Sequence, residues 1–360
     1  MKQTALGEMR QITDKLLSSD NPATLEQAAL KLHRIFSSIT GIDDGSADTR
    51  DSNAALLPNG AAIAPRDAAR CVIDSARTSK FLRGIHAAIT DVGERFPAGP
   101  IEILYAGCGP FATLVLPLTT RFRPDQIQLT LIDTHARALE LVRGLFQALG
   151  LNDYVRDYIQ TDATTYVHRG AAHLLVIEAM QTALSKEPQV GITLNLAPQL
   201  CKNGLLIPEK VTVDLCSYDP RLEYLPPDTC LNEPVSSSTA HRANKNRMKL
   251  GRVFELTAAM AFELGATPGE LSKLSCLPAA GFEIPAHLGA RYELLLSTTI
   301  TVYRSHVLGE YESGLTHPLP LFDFSRANRG DRLDFLYSLA SKPGLEHRWI
   351  ARGRVIPHDQ

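Results

Sequence analysis

The stretch IEILYAGCGP at residues 101–110 decides the fold when it is read together with LTLIDTH at residues 129–135. The first is an apolar, β-branched run that ends in a Gly-x-Gly turn, and the second is an apolar run that ends on Asp133. A buried parallel strand carries the chain to its carboxyl edge, where glycines let the backbone approach a ligand closely. The next strand then presents a carboxylate that can accept both hydroxyls of a ribose. The two runs therefore predict a site for a nucleoside cofactor.

A Gly-x-Gly turn also has a plain structural interpretation, as a tight strand-to-helix turn that binds nothing. The acid downstream, Asp133, favours the nucleotide site over that alternative. No glycine lies at residues 112–114, where a dinucleotide fingerprint would carry its third glycine, and the sequence contains no Gly-Lys-Ser/Thr phosphate loop. A site without a phosphate-cradling loop predicts a cofactor without phosphates.

The composition excludes several classes of protein. Of the 360 residues, 44% are hydrophobic and 21% are charged, which is enough apolar material for two cores. The formal net charge of −2 excludes a protein that binds nucleic acid by bulk positive charge. No apolar run reaches the roughly 18 residues that span a bilayer, and the amino terminus lacks the apolar core of a signal peptide. We therefore expect a cytoplasmic protein whose partners include neither a membrane nor a nucleic acid.

The spacing of the cysteines and histidines bears on redox and metal chemistry. The six cysteines form no Cys-x-x-Cys pair, and several lie in apolar runs, which predicts reduced and mostly buried thiols. Cys108 is interpreted as a small filler in the glycine turn rather than as a nucleophile. The histidines show no spacing typical of metal ligands, so no metal is predicted.

Three segments of the chain differ in pattern. Residues 1–60 are predicted to form two helices, broken at Asn21-Pro22, and a polar loop that is either mobile or ordered over a ligand. Residues 61–207 alternate helices with buried strands, as in a Rossmann-like domain. Residues 208–360 contain the alternation of antiparallel strands and are predicted to form a β-barrel or β-sandwich domain. The predicted fold class is therefore α/β, with an α-helical amino-terminal segment.

Three local predictions belong to these segments. Pro65 is predicted to open a helix that continues to about Ala76, since proline is favourable in the first turn. GITLNLAPQLCKNG is predicted to be a helix that stops at Gly204. The basic run HRANKNRMKLGR at residues 241–252 is interpreted as a solvated helix face or loop.

Two glutamates lie in the stretch EAMQTALSKE at residues 178–187. Glu178 leaves the carboxyl end of a predicted central strand, beside the cofactor edge, and Glu187 closes the stretch. Such a loop forms a pocket for a cation, because each carboxylate can make charge-assisted hydrogen bonds of about 1.5–3 kcal/mol to a guanidinium or an ammonium. The alternative is one buried capping glutamate and one solvated glutamate. Met180, which lies between them, is expected to contact the bound acceptor.

The glycine turn resembles motif I of class I S-adenosylmethionine-dependent methyltransferases. Gly107 and Gly109 match the first two glycines of that motif, and Asp133 matches its ribose acid. Phe111 stands where the third glycine is usual, and Tyr105 replaces the acid that is frequent before the loop. The resemblance implies a methyltransferase that uses S-adenosylmethionine as its cofactor.

Two further elements extend this resemblance. In QTDATTY, Asp162 follows a strand-like run and precedes a small residue, Ala163; in the family this position faces the adenine amino group. In ARTSKFLRGI, Arg77 matches an arginine that holds the carboxylate of the cofactor. The resemblance implies a cofactor site that also includes the first glutamate of the loop and is made of Arg77, Gly107, Gly109, Asp133, Asp162, Ala163 and Glu178.

The spacing of Glu178 and Glu187, with its Glu-x-Met start, resembles the double-glutamate loop of protein arginine methyltransferases. GLLIPE at residues 204–209 is similar to the turn that leads into that family's β-barrel. Residues 315–318 are similar to its Thr-His-Trp loop, although Pro318 replaces the tryptophan. The likeness covers roughly residues 65–340 and implies a Rossmann-like domain followed by a barrel, and a homodimer.

His317 is the candidate general base, since an imidazole titrates near neutral pH and the loop that carries it is expected to face the active site. The alternative is a structural histidine that contacts a carboxylate, a role the family itself uses. Tyr311 lies close by in sequence, with Glu310 and Glu312, and is expected to shape the acceptor pocket. The predicted catalytic residues are Glu178, Glu187 and His317.

The function predicted from these residues is S-adenosylmethionine-dependent methyl transfer to a small amino-acid-like acceptor, for example a tyrosine-like aromatic compound in natural-product biosynthesis. The altered loop at Pro318 and the amino-terminal segment favour this acceptor. A second hypothesis is methylation of an arginine guanidine, in a protein or as the free amino acid. A rival of another class is a non-catalytic protein that kept the fold and binds the cofactor, and a dehydrogenase is a further alternative.

Overall fold

The structure is a computed structural model, and it confirms the predicted fold class. A helical amino-terminal segment precedes a parallel sheet of the Rossmann-like kind, and antiparallel sheets follow. The structure describes residues 2–43, 45, 48–223, 247–264, 274–285, 288, 292–321, 331–351 and 354–355.

The helices concentrate in the first two thirds of the chain. They are α1 (Lys2–Ser18), α2 (Pro22–Thr40), α3 (Pro65–Arg70), α4 (Ser75–Arg95), α5 (Ala136–Leu149), α6 (Gln189–Leu196), α7 (Pro220–Glu223) and α8 (Ala258–Glu263). The predicted break between the first two is where the structure has it. Asn21 Oδ1 caps α2 by accepting from the Thr24 N–H at 3.1 Å, and Gly41 ends the helix at φ +74°.

The strands follow the predicted change of pattern. They are β1 (Ala55–Leu57), β2 (Gly60–Ala62), β3 (Ile101–Ala106), β4 (Ile127–Asp133), β5 (Val155–Gln160), β6 (Leu174–Ile177), β7 (Leu205–Ile207), β8 (Lys210–Tyr218), β9 (Met248–Thr257), β10 (Cys276–Glu283), β11 (Glu293–Tyr303), β12 (His306–Leu308), β13 (Leu319–Leu321), β14 (Arg332–Ser338), β15 (Gly344–Ala351) and β16 (Arg354–Val355).

The central sheet has the order β5-β4-β3-β6-β7, and every neighbouring pair in it is parallel. The strands β3, β4, β6 and β7 are mostly apolar and buried, as expected for parallel strands covered on both faces, whereas the edge strand β5 is partly exposed. In a parallel sheet all carboxyl ends lie at one edge. The segments that follow β3, β4, β5 and β6 are therefore brought together there, and these are the segments that carry the predicted site residues.

The second half of the chain forms two antiparallel sheets. One has the order β12-β11-β8-β9, with β13 also paired to β11, and the other has the order β10-β14-β15-β16. The first of these strands begins at Lys210, directly after the parallel strand β7. One apolar cluster contains core residues from the helical segment, the parallel sheet and the antiparallel sheets. The division at residues 60 and 207 stays a prediction.

Several local predictions are corrected by the structure. The helix opened by Pro65 ends at Arg70, and a 3-10 turn precedes a new helix at Ser75, because Asp74 caps that helix with its own side chain. The helix predicted to reach Gly204 ends at Leu196. In the basic run, residues 241–246 lie outside the described residues, and Arg247 is buried in an ion-pair cluster instead of being solvated.

No helix in the described part of the chain combines the length and the apolarity needed to cross a membrane. The same residues contain no group of three or more His, Cys, Asp or Glu side chains that could hold a metal ion. Five described cysteines are free thiols, and Cys230 lies outside the described residues.

The long helix α4 joins the two halves of the molecule, and Gly84 is its point of closest approach. A Cβ placed on Gly84 would lie 2.5 Å from Val302 Cγ1 on β11 and 3.1 Å from Val302 Cβ. Nearby, the Tyr303 hydroxyl donates to Asp91 Oδ2 at 2.6 Å. The contact therefore requires a residue without a side chain on the helix.

We expect Gly84→Ala to lower the free energy of unfolding by about 1 kcal/mol. Overpacking costs about 1–3 kcal/mol, and the higher helix propensity of alanine returns about 1 kcal/mol of that. Urea denaturation measures the change. Gly144→Ala is the matched control, because Gly144 lies in α5 and a Cβ there would meet nothing within 4 Å. Equal stability of the two variants would contradict the proposed contact.

Candidate functional site

The glycine turn after β3 lies against the end of the neighbouring strand β6. Gly107 has φ +75° and Gly109 has φ +61°, conformations that glycine adopts readily. The N–H groups of Gly107 and Cys108 both donate to the Ile132 carbonyl, at 3.0 and 3.1 Å. A Cβ on Gly107 would come within 3.3 Å of the Glu178 carbonyl oxygen. The turn is thus held between the ends of β4 and β6.

Asp133 is fixed in place at the end of β4. Its Oδ2 accepts from the Gly109 N–H at 2.9 Å, and its Oδ1 accepts from the His135 N–H at 2.9 Å. The residue is 8% exposed. Two backbone donors therefore orient a buried carboxylate toward the same edge of the sheet.

One cavity lies along this edge, between the glycine turn and residues 178–187, which are called the double-glutamate loop below. It encloses about 940 Å3 outside the protein atoms, its open mouth included. All the predicted cofactor residues line it, together with Met180 and Glu187 of the loop. The full set is Arg77, Gly107, Gly109, Asp133, Asp162, Ala163, Glu178, Met180 and Glu187. The structure therefore brings together residues that the sequence presents in five separate segments.

Asp162 begins the loop after β5 and is held by its own turn. Its Oδ1 accepts from the Thr164 N–H at 2.8 Å and from the Thr164 hydroxyl at 2.7 Å. The next residue, Ala163, is fixed through its carbonyl, which accepts from Asn195 Nδ2 at 2.9 Å. These bonds place a short polar side chain and a small residue in the cavity wall.

The two glutamates have different surroundings. Glu178 forms an ion pair with Arg77, and both side chains are nearly excluded from solvent. Burial raises the pKa of Glu178, and the charge of Arg77 acts in the opposite direction. Burial and the neighbouring Glu178 together raise the pKa of Glu187 to about 7. The pair therefore combines one carboxylate that forms an ion pair with an arginine and one that changes its charge near neutral pH.

The loop that carries the glutamates has an unusual backbone. Ala183, Leu184 and Lys186 have φ of +55°, +57° and +66°, a region that costs an L-residue about 1–2 kcal/mol. Such conformations persist only where the surrounding structure imposes them. A loop of this shape must therefore be held from outside.

The antiparallel domain holds the loop. Thr298 Oγ1 accepts from the Ala183 N–H at 3.0 Å. The Tyr337 hydroxyl donates to the Leu184 carbonyl at 2.7 Å. The Lys186 N–H donates to the Pro343 carbonyl at 2.9 Å. Each strained residue has its own bond to the second half of the chain.

Asp74 links the same two parts of the molecule. Its Oδ1 accepts from the Arg77 N–H at 3.1 Å and so caps α4. Its Oδ2 accepts from the Ser313 hydroxyl at 2.6 Å and from the Gly314 N–H at 3.1 Å. The start of the helix that presents Arg77 is thereby tied to the loop that leads to His317.

His317 and Tyr311 do not line the cavity. Their rings lie next to each other, with centroids 5.7 Å apart. The Tyr311 hydroxyl donates to Glu223, and the Arg247 guanidinium donates to the Tyr311 oxygen at 3.1 Å. The catalytic role of His317 and the acceptor-binding role of Tyr311 stay predictions.

Sequence reasoning missed several residues of the cavity wall. Cys71 and Tyr105 lie in it near Glu178, and burial raises the pKa of both side chains. His135 lines it as well, and its position two residues after Asp133 was a usable signal. Burial also raises the pKa of Cys108, which keeps that thiol protonated. The hairpin β1–β2 contributes Leu57 and Ala62 to the wall of the cavity, and no sequence motif marks these residues.

Comparisons with known proteins give little help in identifying the chain. No protein-family model matches the sequence, and no curated protein matches it. Among solved structures, the chain is similar to one described as the Trypanosoma brucei PRMT1 enzyme-prozyme heterotetrameric complex with AdoHcy. The sequence identity is 12%, the TM-score is 0.47, and the match covers 81% of this chain and 95% of that chain. Any function of this protein therefore rests on its own residues.

Proposed function

We propose that the protein is an S-adenosylmethionine-dependent methyltransferase that acts on a small amino-acid-like acceptor, for example a tyrosine-like aromatic compound in natural-product biosynthesis. The observation that carries the proposal is the cavity at the carboxyl edge of the sheet. A fixed ribose-type acid, Asp133, and a pair of carboxylates, Glu178 and Glu187, line the same space. Ligands of open α/β sheets bind at this edge.

The residues fit the proposed cofactor. Asp133 would accept the two ribose hydroxyls, and Asp162 with Ala163 would face the adenine. Arg77, which lines the cavity and has a planar fork of donors, would take the carboxylate of the methionyl group. S-adenosylmethionine supplies a methyl group on a sulfonium, and the neutral thioether that remains is a good leaving group. The chain must then align the acceptor, exclude water and remove a proton.

The acceptor end is assigned to the double-glutamate loop. The two carboxylates would hold an ammonium or a guanidinium, and Met180 lies in the wall between them and the glycine turn. With a pKa of about 7, Glu187 is suited to accept a proton from the acceptor at neutral pH. His317 is retained as the alternative base.

A second acceptor, an arginine guanidine, is supported by one observation. Two buried carboxylates in one cavity can accept N–H groups from two edges of a planar guanidinium. The rival of another class is a non-catalytic cofactor-binding protein. We also propose a homodimer with a cytoplasmic location, which light scattering and cell fractionation would test.

Isothermal titration with S-adenosylmethionine and S-adenosylhomocysteine tests the proposal first. Binding of both below millimolar concentration is expected, and no binding would remove the enzyme hypothesis. NADH is the control ligand for a dehydrogenase, and we expect it not to bind. Methyl-labelled S-adenosylmethionine with a panel of free amino acids and an arginine-rich peptide then separates the two acceptors. Binding without transfer to any of them would favour the non-catalytic protein.

Glu187 is expected to make stability depend on pH. Its pKa is about 7 in the folded protein against an ordinary 4.5, so between these values the folded state binds more protons than the unfolded state. The free energy of unfolding should therefore fall as pH rises from 5 to 7, and should level off above that. Urea denaturation at pH 5 and pH 8 measures the difference.

Glu187→Gln is expected to reduce this pH dependence and to be more stable than the wild type at pH 8. Glu26→Gln, at an exposed position, is the matched control and should behave as the wild type. An unchanged pH profile in Glu187→Gln would mean that Glu187 is ordinarily solvated. In that case its assigned role as a base would lose its support.

A further inference from the structure

The hairpin β1–β2 lies directly on the double-glutamate loop. Gly60, which begins β2, has φ +143°, and a Cβ on it would lie 2.9 Å from the Pro188 nitrogen and 3.1 Å from the Lys186 carbonyl oxygen. The Ala61 N–H donates to that same carbonyl at 2.9 Å. The backbone of the hairpin and the backbone on both sides of Glu187 are thus in van der Waals contact.

The tip of the hairpin is also bound to the loop after β5. Asn59 Nδ2 donates to the Thr164 hydroxyl oxygen at 3.3 Å, and the Thr164 hydroxyl in turn donates to Asp162 Oδ1. Asn59 is only 8% exposed. One turn therefore contacts both the loop that would hold the adenine and the loop that carries Glu187.

The chain leading into the hairpin is anchored beside Asp133. The Asn53 carbonyl, which can only accept, lies 3.1 Å from His135 Nε2. Two residues earlier, the fully buried Asp51 accepts from Arg137 Nε at 2.8 Å on the first turn of α5. The hairpin is consequently fixed at its base, at its tip and along one edge.

The side chains of the hairpin follow the alternation of a strand. Leu57 and Ala62 face the cavity, and Ile63 continues this wall. Leu56 pairs with Ala61, between the pairs that contain Leu57 and Ala62, and its side chain is 86% exposed. One face of the hairpin therefore lines the cavity, and its backbone contacts the residues on both sides of Glu187.

We propose that the hairpin Ala55–Ala62 positions Glu187, and that Gly60 is the positioning residue because only glycine permits the contact with residues 186–188. Asn59 and Asn53 bond the same hairpin segment to Thr164 and His135, beside the proposed cofactor residues. Occupancy of the cofactor site and the placement of Glu187 are therefore coupled. The identity of the ligand rests on the proposed function, whereas the contacts of the hairpin do not. The coupling predicts two separate effects of the same substitution.

Gly60→Ala tests the positioning directly. The added Cβ should push the hairpin away from Glu187 and admit water, so the pH dependence of urea denaturation between pH 5 and 8 should shrink toward that of Glu187→Gln. The affinity for S-adenosylhomocysteine, measured by calorimetry, should fall about fivefold. Gly99→Ala is the matched control, because Gly99 has φ +116° and a Cβ there would meet nothing within 4 Å. It imposes a similar backbone strain without the contact.

Asn59→Ala removes the tip contact without any backbone strain, and it should weaken S-adenosylhomocysteine about twofold while leaving the pH profile unchanged. If Gly60→Ala matches Gly99→Ala in both measurements, the proposal is wrong. If the wild type itself binds no S-adenosylhomocysteine, the proposed function fails, but the pH profile still decides the positioning role.

Hydrogen exchange on the wild-type protein gives an independent test if Gly60→Ala does not fold. Adding S-adenosylhomocysteine should protect the amides of residues 55–62 and of residues 183–188 together. Protection of the glycine turn without protection of either segment would overturn the coupling.

Discussion

Glu178→Gln is expected to lower turnover about 100-fold while leaving the affinity for S-adenosylhomocysteine within a few-fold. Glutamine keeps the shape of the side chain but removes the charge that would hold the cation of the acceptor. Without that charge the acceptor is not oriented toward the methyl group. Calorimetry measures the binding, and single-turnover assays with labelled S-adenosylmethionine measure the rate with the acceptor that the amino-acid panel identifies.

The ion pair between Glu178 and Arg77 sets the controls for this variant. Removing one partner of a buried pair destabilises a protein by about 3–5 kcal/mol, so thermal unfolding must show that the variant is folded at the assay temperature. Glu102→Gln is the matched control, since Glu102 lies at the other end of the same sheet and pairs with Arg156. If turnover survives while cofactor binding collapses, Glu178 belongs to the cofactor, and the acceptor pocket must lie near His317 and Tyr311.

Asp133→Ala should weaken S-adenosylmethionine at least tenfold, which corresponds to about 1.4 kcal/mol. The carboxylate would accept both ribose hydroxyls, and charged hydrogen bonds of this kind contribute about 1.5–3 kcal/mol. Its loss also leaves the N–H groups of Gly109 and His135 without their acceptor, so the glycine turn should loosen. Isothermal titration measures the affinity.

Asp162→Ala tests whether the loss of affinity is specific to Asp133 or follows from the removal of any carboxylate at this edge of the sheet. It removes a carboxylate from the adjacent strand end, and with it the turn to Thr164, but not the proposed ribose contacts. We expect a smaller loss of affinity than for Asp133→Ala. Unchanged affinity in a folded Asp133→Ala protein would show that the ribose acid lies elsewhere.

The parts of the site that lie next to a strand in sequence could be predicted. Gly107, Asp133 and Glu178 each follow an apolar run directly, and a parallel sheet brings such positions to one edge whatever the rest of the chain does. The fold class followed from the same runs and from the change of pattern after residue 207. Local sequence was sufficient in these cases, because the carboxyl ends of parallel strands lie at the same edge of the sheet whatever the order of the strands.

Contacts between distant segments could not be predicted. Gly60 reads as a turn glycine, and nothing near it in sequence shows that Pro188 is its neighbour. Arg247 lies in a basic run that suggests solvent, yet its guanidinium bonds Glu310 Oε2 at 2.6 Å and also pairs with Glu223. Such pairings depend on how the two halves of the molecule pack, which no local pattern encodes.

The strained backbone of the double-glutamate loop bears on how such a protein could change its substrate. Every described residue that lines the cavity precedes residue 193, yet the loop keeps its shape through Thr298, Tyr337 and Pro343. Under the proposed function, substitutions at those distant positions would reshape the acceptor side of the cavity and leave its cofactor side unchanged. Selection for a new acceptor would therefore leave substitutions among the antiparallel sheets and their connections, outside the cavity wall.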